Sequence, residues 1–498
     1  MPPALALVVY LTVPFFLIRL DSKTEPKPSA ALWVPLIWMF IMGSRLPSQW
    51  IGRTDTSMAA AVMDGSPVDR GIFLVLMALA IGVLARAGLD WREFFARNFI
   101  LGLFLLFALL SVIWSDHPFV TFKRWFRDVG MYLVILVVLA HHRPLEQIST
   151  LIRRLSYFLV FLSIALIKYY PAIGVSYDIY SGLPEYAGAA TSKNMLGAVC
   201  LMSGLFFFWD TLRRWPDRKH PRMKTTLLVN VAMIVLTLWL LRLSSSATSQ
   251  GCLVIGCVVI ALLNGKWTRA YPRVATALIP VTLTVYVVLE LAFELSTAIA
   301  EFLGRDPTLT GRTEMWAALL AVENNPLVGV GYQSFWLGDR LATVWHSLTT
   351  SNLNEAHNGF LEVYLCLGAI GVTLLVVILV VSYWRLAKEL ALSSPLAPLG
   401  LAMWSIMVVY NLTEAAFPAS LLWAVFLMSA ITVPLSRVKV PLRRAAVAPK
   451  AVQLTTRESM ITRPRVGQAA LASQKTFKQG VRPSRPLAAS SRLRRSSK

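Results

Sequence analysis

His357 is the residue whose type and position best suit it to act as a base. It stands in Asn354-Glu-Ala-His-Asn-Gly-Phe-Leu-Glu362, at the predicted start of a long apolar helix. A neutral imidazole can accept a proton near pH 7. On a helix, Asn354, Asn358 and Glu362 would share one face at i, i+4 spacing, with His357 beside it. From spacing alone, a catalytic base and a structural histidine at a helix start capped by Asn354 are equally good interpretations.

Basic residues in segments predicted to lie outside the cytoplasm form a second candidate set. They are Lys123, Arg124, Arg127, Lys193, Arg242, Arg305 and Arg312. The planar fork of arginine suits bidentate binding of phosphate oxygens. Contact with lipid headgroups explains any single one of these residues. Several of them at a lipid boundary predict a site for a lipid-linked phosphate or diphosphate.

The composition predicts a protein that crosses a membrane many times as α-helices. Of the 498 residues, 56% are hydrophobic and 15% are charged, and the mean hydropathy is +0.60. Apolar residues recur in blocks of about twenty, the length that a transmembrane helix needs. This pattern excludes a soluble globular enzyme and a disordered chain. It also excludes an outer-membrane barrel, whose strands alternate apolar and polar residues.

Apolar runs between charged or Pro/Gly-rich breaks predict thirteen spans. They start near residues 3, 29, 71, 98, 128, 152, 194, 226, 247, 272, 356, 397 and 417. With the N-terminus outside, most Lys and Arg residues fall in cytoplasmic loops, as the positive-inside rule requires. The charged residues of the spans lie near the outer helix ends. None is predicted at the bilayer midplane, where a coupled transporter would bind its ions.

The net charge of +22 comes mainly from the C-terminal tail. Residues 437–498 contain sixteen Lys and Arg but one acidic residue, Glu458, and they have no apolar period. Such a composition is typical of a disordered segment. We therefore predict a cytoplasmic tail near anionic lipid headgroups and no binding of nucleic acid.

One outer segment, residues 299–355, is much longer than an ordinary connection between helices. Within it, residues 311–324 carry apolar side chains at helical spacing, and Pro326 ends that pattern before a Gly-rich turn. We predict a short amphipathic helix on the membrane surface. The predicted organisation is ten helices in residues 1–298, this loop in 299–355, three helices in 356–436, and the tail in 437–498.

Five short motifs follow one another within residues 110–435. They are Ser192-Lys-Asn194 with Leu196-Gly197, Ser244-Ser-Ser-Ala-Thr248, Leu303 to Trp316, Asn325 to Tyr332, and Glu355 to Glu362 with Leu367 to Gly371. No single motif is highly specific. Their order and spacing together resemble the O-antigen ligase/polymerase family (Wzy- and WaaL-like proteins), and within it the ExoQ-like exopolysaccharide-production branch.

This resemblance implies an all-α polytopic integral membrane protein with about 12–13 transmembrane helices and one large periplasmic loop, a GT-C-like glycosyltransferase architecture. It also implies a metal-independent, cofactor-free glycosyltransferase of the bacterial inner membrane. The reaction would polymerise or ligate undecaprenyl-diphosphate-linked glycan at the periplasmic face. The acceptor would be a glycan or a lipid, and chain-length regulator and flippase proteins are possible partners.

The resemblance further implies roles for individual residues. The family's catalytic histidine maps onto His357, and its functional arginines map onto Arg312 and Arg242, although Arg242 precedes the serine motif by two residues. We expect His357 to activate the acceptor hydroxyl, oriented by Glu355 or Glu362, in an inverting displacement. The predicted catalytic residues are His357, Arg312 and Glu362. Substrate binding is predicted for Arg242, Lys193, Asn194, Arg305, Arg124, Tyr332 and Asn358, and no residue is predicted to bind a metal.

Two other functions stay open at this point. A ligase that transfers finished glycan to a lipid or protein acceptor would share the donor chemistry and differ in its acceptor groove. A transporter or flippase of lipid-linked oligosaccharide would move its substrate without forming a glycosidic bond. The lack of predicted midplane charge and of an inverted repeat argues against transport.

Overall fold

The computed structural model describes residues 1–22, 28–52, 65–177, 182–293, 310–348 and 353–434. The predicted tail and Arg305 lie outside these residues. Within them the chain is almost entirely α-helical, and its one sheet pairs two short antiparallel strands, with Val175 opposite Tyr186.

The helices and strands follow one another in chain order, with short 3-10 turns at Ala30–Leu32, Ser111–Ile113 and Trp215–Asp217. They are α1 (Pro3–Asp21), α2 (Trp33–Gly43), α3 (Pro47–Trp50), α4 (Pro67–Arg86), α5 (Trp91–Arg97), α6 (Phe99–Leu110), α7 (Pro118–Leu139), α8 (Pro144–Tyr169), α9 (Pro171–Gly174), β1 (Val175–Tyr177), β2 (Pro184–Tyr186), α10 (Lys193–Arg214), α11 (Pro221–Ser244), α12 (Ala247–Leu263), α13 (Lys266–Ala270), α14 (Pro272–Phe293), α15 (Thr310–Ala321), α16 (Gly338–Ser347), α17 (Gly359–Ala391), α18 (Ala397–Tyr410) and α19 (Leu421–Ala430).

Each of the thirteen predicted spans overlaps one of these helices. Among the described residues, six helices are long and apolar enough to cross a membrane, namely α1, α4, α8, α10, α11 and α17. The count becomes seven if α5 and α6, which are bent by 89° at their junction, form one span. The all-α polytopic fold is confirmed, whereas the number of 12–13 crossings stays a prediction.

The helix at the fifth predicted span is longer than expected. The sequence suggested a short span from residue 128 after a basic outer loop, but α7 already begins at Pro118. Lys123, Arg124 and Arg127 therefore lie on a helix, and the prediction of a loop there was wrong. The charged half of α7 is tolerated because its side chains pair with residues of the segment 326–337, as described below.

The centre of the molecule is formed by helices that are apolar all round. Nearly every residue of α18 and α19 is buried, as expected for helices without a polar face. In contrast, α1, α4 and α11 expose large apolar side chains such as Phe16, Val75 and Leu228. Contiguous apolar exposure of this kind marks a surface that contacts lipid.

Helix α17 is broken at Gly368, and the Gly-rich turn fills the break. Gly368 has φ 62° and ψ −166°, so the helical hydrogen bonds around it are lost. The amides of Val330 and Gly331 donate to the carbonyl groups of Leu365 and Cys366, at 3.3 and 2.9 Å. The amides of Ala369 and Ile370 donate to the carbonyl groups of Pro326 and Leu327, at 2.9 and 3.1 Å. Every one of these freed backbone groups thus regains a partner.

Apart from Gln333, residues 329–337 of this segment are therefore buried in the protein, whereas Pro326 and Leu327 are exposed. Val330, Tyr332, Phe335 and Trp336 are all buried. Helix α15 appears where a helix was predicted, and its Met315 and Leu319, one turn apart, are buried too. The apolar stripe of α15 packs on the protein, so its assignment as a helix that only rests on the membrane was incomplete.

Candidate active site

A buried carboxylate, Glu414, joins four separate segments of the chain. It lies between α18 and α19, and its side chain is 6% exposed. Its Oε2 is 3.3 Å from Nδ1 of His357. Its Oε1 accepts hydrogen bonds from Nδ2 of Asn194, at 3.1 Å, and from Nη2 of Arg312, at 3.4 Å. Three predicted site residues therefore meet at one acid.

The backbone before α17 fixes the position of His357. Asn358 is the N-cap of α17, and its side chain accepts from the amides of Phe360 and Leu361. The amide of Gly359 donates to the carbonyl groups of Asn411 and Glu414, at 2.9 and 3.0 Å. A Cβ at Gly359 would lie 1.9 Å from Oδ1 of Asn411, so only glycine allows this approach.

His357 itself lies outside the helix, with φ 47°. Because α17 begins at Gly359, Asn354 is not part of it. The predicted shared helix face of Asn354, Asn358 and Glu362 was wrong, and the cap is Asn358 rather than Asn354. A histidine in the left-handed region is uncommon and is held there by the contacts of the surrounding loop.

Two carboxylates face the same nitrogen of His357. Nδ1 is 3.2 Å from Oε1 of Glu355 and 3.3 Å from Oε2 of Glu414. Burial disfavours the imidazolium, but the hydrogen bond to Glu414 and the charge of Glu355 outweigh it, so the pKa of His357 is raised above its ordinary value. Burial also raises the pKa of Glu355. With Nδ1–H donating to a carboxylate, Nε2 carries the lone pair that could accept a proton.

Arg312 enters the site from the start of α15. Its Nη1 donates to the carbonyl oxygen of Thr413, at 2.6 Å, beside its contact with Glu414. The hydroxyl of Thr413 is in turn 2.9 Å from that of Thr248, which belongs to the serine motif. Arginine and acid are therefore positioned by the same short segment between α18 and α19.

The two upstream motifs meet at this site for a packing reason. Ser192 caps α10 by accepting from the amide of Met195, so Asn194 lies in the first turn of that helix. One turn along α10, a Cβ at Gly197 would lie 2.6 Å from Cβ of Ser246 and 2.7 Å from Oγ of Ser249. The glycine lets α10 approach the serine motif closely enough for Asn194 to reach Glu414.

Glu362 contacts groups other than the imidazole that it was expected to orient. Its Oε1 accepts from Nε1 of Trp336, at 2.6 Å, and its Oε2 accepts from the amide of Ala356, at 3.0 Å. Nε1 of Trp316 donates to the carbonyl oxygen of the same Ala356, at 2.9 Å. Glu362 therefore holds the loop that carries His357, while Glu355 and Glu414 contact the imidazole.

Several predicted substrate-binding residues have other partners. Lys193 forms an ion pair with Glu185 of β2. Arg124 donates to the backbone carbonyl of Gln333. Tyr332 is buried, and its hydroxyl donates to Asp128 at 2.9 Å. The expectation that the basic groups form a single cluster was wrong. Among the described candidate arginines, only Arg312 contacts the His357 site.

Arg242 stands apart from these residues. It is exposed at the end of α11, and its side chain makes no hydrogen bond or ion pair with another residue that the structure describes. Two residues further on begins the serine motif that contacts Thr413. Arg242 thus lies at the same end of the helices as His357, without touching it.

Residues 232–376 match the model of a family described as O-Antigen ligase. The chain is also 25% identical, over 374 residues, to the exopolysaccharide production protein ExoQ of Rhizobium meliloti (strain 1021), a match that covers 67% of this chain and 80% of that protein. Both matches support a relationship of this chain to the O-antigen ligase/polymerase family. The resemblance seen in the five motifs, including its ExoQ-like branch, is confirmed.

Together with the apolar helices, these matches support an O-antigen ligase/polymerase-type membrane enzyme. The matched residues 232–376 include Arg242, Arg312 and His357. They end before Glu414, the acid that joins these segments in space. The sequence analysis did not place Glu414 in the site, since no motif pointed to it.

A second group of buried charges was also missed. Asp210, which is fully buried, forms ion pairs with Arg153, Arg213 and Arg214 and accepts from Nδ2 of Asn230, at 2.9 Å. Asp210 is sixteen residues after Asn194 on α10, about 24 Å along the helix. It therefore lies at the opposite end of the bundle from His357 and joins α8, α10 and α11 there.

The site also contains a set of groups that could bind a cation. Oxygen and nitrogen atoms of Glu355, His357 and Glu414 lie within 4.8 Å of one another. The guanidinium of Arg312 contacts the same Glu414 and supplies positive charge there. That the enzyme works without a metal stays a prediction, and it is tested below.

Proposed function

We propose that this enzyme polymerises undecaprenyl-diphosphate-linked glycan at the periplasmic face of the bacterial inner membrane, by an inverting mechanism and without a metal. The observation that carries the proposal is the contact of His357, Arg312 and Asn194 with the buried Glu414. This arrangement combines a base, an acid that orients it, and an arginine at one end of the helices.

His357 is the proposed base. The acceptor hydroxyl oxygen attacks the anomeric carbon, and its proton passes to Nε2 of His357. Glu414 holds the opposite nitrogen and stabilises the imidazolium that forms, which is the division of labour between an acid and a histidine in a catalytic triad. A positioned base contributes about 10²–10⁴-fold to such a reaction.

Arg312 is the proposed partner of the leaving group. As the new bond forms, the bond between the anomeric carbon and the diphosphate oxygen breaks, and the diphosphate takes the electron pair. Positive groups fixed in a water-poor site stabilise such developing charge. Arg242, whose side chain has no partner among the described residues, is the second arginine that we assign to the diphosphate. Attack opposite the leaving group inverts the anomeric centre.

Two orientations of the chain in the membrane can be compared by their charge. The end that holds Asp210 also holds Arg213, Arg214, Arg218 and Lys219. Lys and Arg resist translocation, which supports a cytoplasmic position for that end and for the basic tail. The site would then face the periplasm. The proposed partners are membrane lipid, the acceptor glycan or lipid, and chain-length regulator and flippase proteins.

The second candidate is a ligase that transfers finished glycan to a lipid or protein acceptor. The description of the matching family model favours it. Polymerisation is favoured by the longer match, which covers 80% of a protein named for exopolysaccharide production. A transporter has no comparable support, because the buried charges at Asp210 lie near one end of α10.

The test uses purified protein in lipid vesicles with the undecaprenyl-diphosphate-linked repeat unit. We expect the wild type to form a ladder of longer glycans, in the presence of EDTA as well, and His357→Ala to form none. His346→Ala is the matched control, since His346 is exposed on α16 of the same loop. Full elongation by His357→Ala would refute the assigned base.

The same vesicles separate the competing functions. Transfer of a preformed glycan to an added lipid acceptor, without a ladder, would identify a ligase. Movement of the lipid-linked glycan across the vesicle membrane, without a new glycosidic bond, would identify a transporter. Loss of elongation in EDTA that added Mg²⁺ or Mn²⁺ restores would show that a metal is needed.

A further inference from the structure

A cavity of about 280 Å³ lies beside the candidate active site, between α2, α4, α7 and the start of α10. Its size is near the lower end of the roughly 300–1,000 Å³ that small-molecule sites occupy. The polar groups in its wall are Arg127, Asp128, Ser44, Gln49 and Thr191. No sequence pattern predicted it, because these residues come from three distant segments.

The cavity shares two of its walls with the active site. Thr191 and Met195 line it, and Asn194 between them donates to Glu414. Ala419 also lines it and belongs to the same segment between α18 and α19 as Glu414. A group that fills the cavity would therefore lie next to the residues that contact His357.

The charged part of the wall is rigid. Asp128 accepts from the hydroxyl of Tyr332, at 2.9 Å, and from Nε2 of Gln333, at 2.5 Å. It also accepts from Nε of Arg127, at 3.1 Å. The Arg127 side chain is 42% exposed, while that of Asp128 is 7% exposed. Nη2 of Arg127 donates to Oε1 of Gln333, at 3.4 Å. The carboxylate and the amide thus fix an arginine whose Nη1 group can serve a ligand.

The chemistry of the wall suits a sugar better than a phosphate or an acyl chain. A sugar ring needs donors and acceptors for its hydroxyl groups and apolar surface for its C–H faces. Arg127 and the hydroxyls of Ser44 and Thr191 can donate, Asp128 and the same hydroxyls can accept, and Trp38 and Phe73 add aromatic surface. The Asp128 carboxylate offsets the charge of Arg127, so this wall attracts a diphosphate less than an unpaired arginine would.

We propose that this cavity binds one sugar residue of the lipid-linked glycan and so positions it for reaction at His357. The inference rests on the proposed function and adds a specificity site to it. The bound sugar belongs either to the donor or to the acceptor, since both carry the same chemistry. The substrate whose KM changes identifies which of the two it is.

Ala419→Phe and Thr191→Val test the inference in different ways. The first fills the cavity without removing a hydrogen bond, and the second removes one hydroxyl at nearly constant volume. We expect Ala419→Phe to raise the KM of one glycan substrate about 10-fold or more, and Thr191→Val to raise it about 2- to 10-fold, the range for one lost hydrogen bond. In both variants kcat should change less than the KM does.

Controls show whether the effect is specific to the sugar. Thr343→Val, on the exposed face of α16, should leave both constants unchanged. Binding of undecaprenyl diphosphate without a sugar should be the same in Ala419→Phe as in the wild type. An unchanged KM for both glycan substrates in both cavity variants would overturn the inference. Equal weakening of the sugar-free lipid would overturn it too.

Failure of the proposed function gives a different result. In that case the wild type forms no glycosidic bond, and the direct binding of the lipid-linked repeat unit replaces the KM as the measurement. Weaker binding of that glycan to Ala419→Phe, with unchanged binding of the sugar-free lipid, would still support the sugar site. Equal binding of the glycan to Ala419→Phe and the wild type would refute it.

Discussion

The proton affinity of His357 depends on two acids that come from different parts of the chain. Glu355 is two residues away, whereas Glu414 is 57 residues away and arrives with the segment between α18 and α19. Both favour the charged imidazole, and burial opposes it. A raised pKa makes the neutral imidazole a stronger base. It also means that the imidazole is neutral, and so able to accept a proton, only at higher pH.

The first prediction concerns the pH dependence of this base. The neutral form is active, so kcat/KM should fall as the pH decreases through the raised pKa of His357. Glu414→Gln removes the charge that outweighs burial and should lower that pKa. We expect the acidic limb of the pH profile to move to lower pH and the plateau to fall, because the orienting acid is lost.

The measurement is the elongation rate from about pH 5 to 9 in vesicles. Glu323→Gln, in the same loop and outside the site, should keep the wild-type profile. An acidic limb that stays in place in Glu414→Gln would show that another group controls the rate.

The second prediction concerns Arg312. Its guanidinium contacts the carbonyl of Thr413 and the carboxylate of Glu414 at the same time, which a single ammonium cannot reproduce. We expect Arg312→Lys to lower kcat/KM by about 10²-fold or more, the effect of losing a positioned charge in a transition state.

Arg340→Lys is the matched control, because Arg340 lies in the same loop and pairs with Asp116 outside the site. Its kcat/KM should stay within a few-fold of the wild type. Near-normal turnover of Arg312→Lys would remove the case for bidentate binding at this position.

Sequence reasoning found His357, Arg312 and Asn194 because their types are unusual in apolar surroundings and stand in short motifs. It could not find that Glu414 joins them. Glu414 and Asn194 are 220 residues apart in the sequence, and their contact depends on the packing of α10 against the serine motif. The contact of Tyr332 was missed for the same reason, since its partner Asp128 lies on α7, 204 residues away.

At the scale of single elements, the break in α17 shows where pattern reasoning stops. Apolar periodicity predicted this helix correctly, but residues 356–380 look like one continuous span. The break depends on hydrogen bonds between residues 326–331 and 365–370, which are contacts of the tertiary structure. The glycines on both sides were visible as motifs, and only the fold explains them.

The third prediction concerns Gly368. Its φ and ψ lie in a region that only glycine occupies readily, and a Cβ would lie 2.3 Å from the backbone of Leu327. We expect Gly368→Ala to destabilise the protein by about 1–3 kcal/mol or more and to lower its Tm in detergent. Elongation should fall as well. The displaced turn carries Trp336, whose hydrogen bond to Glu362 helps to hold the loop of His357 in place.

Gly82→Ala is the matched control, since Gly82 lies in α4 with no atom within 4 Å of a new Cβ. That change should leave the Tm unchanged or raise it, because alanine favours the helix by about 0.5–1 kcal/mol. Equal Tm values for the two variants would mean that the break does not depend on Gly368.

At the scale of the whole molecule, charge separates the two ends of the helix bundle. One end contains Glu414 with its three partners, and the other contains Asp210 with three arginines. The distribution of Lys and Arg along the sequence predicted this difference in charge between the two ends. It did not predict a buried Arg153 and Asp210, because single charges within apolar runs give no sign of their partners.

The last prediction is the orientation of the chain, tested with a membrane-impermeant maleimide. The four native cysteines give little background, because Cys200, Cys252 and Cys366 are buried and Cys257 is half-buried. We expect His346→Cys, at the end with the site, to be labelled in spheroplasts. Lys219→Cys, at the end with Asp210, should be labelled only in inverted vesicles, since its arginine-rich surroundings resist translocation. The opposite pattern would place His357 in the cytoplasm, on the wrong side for a periplasmic polymerase.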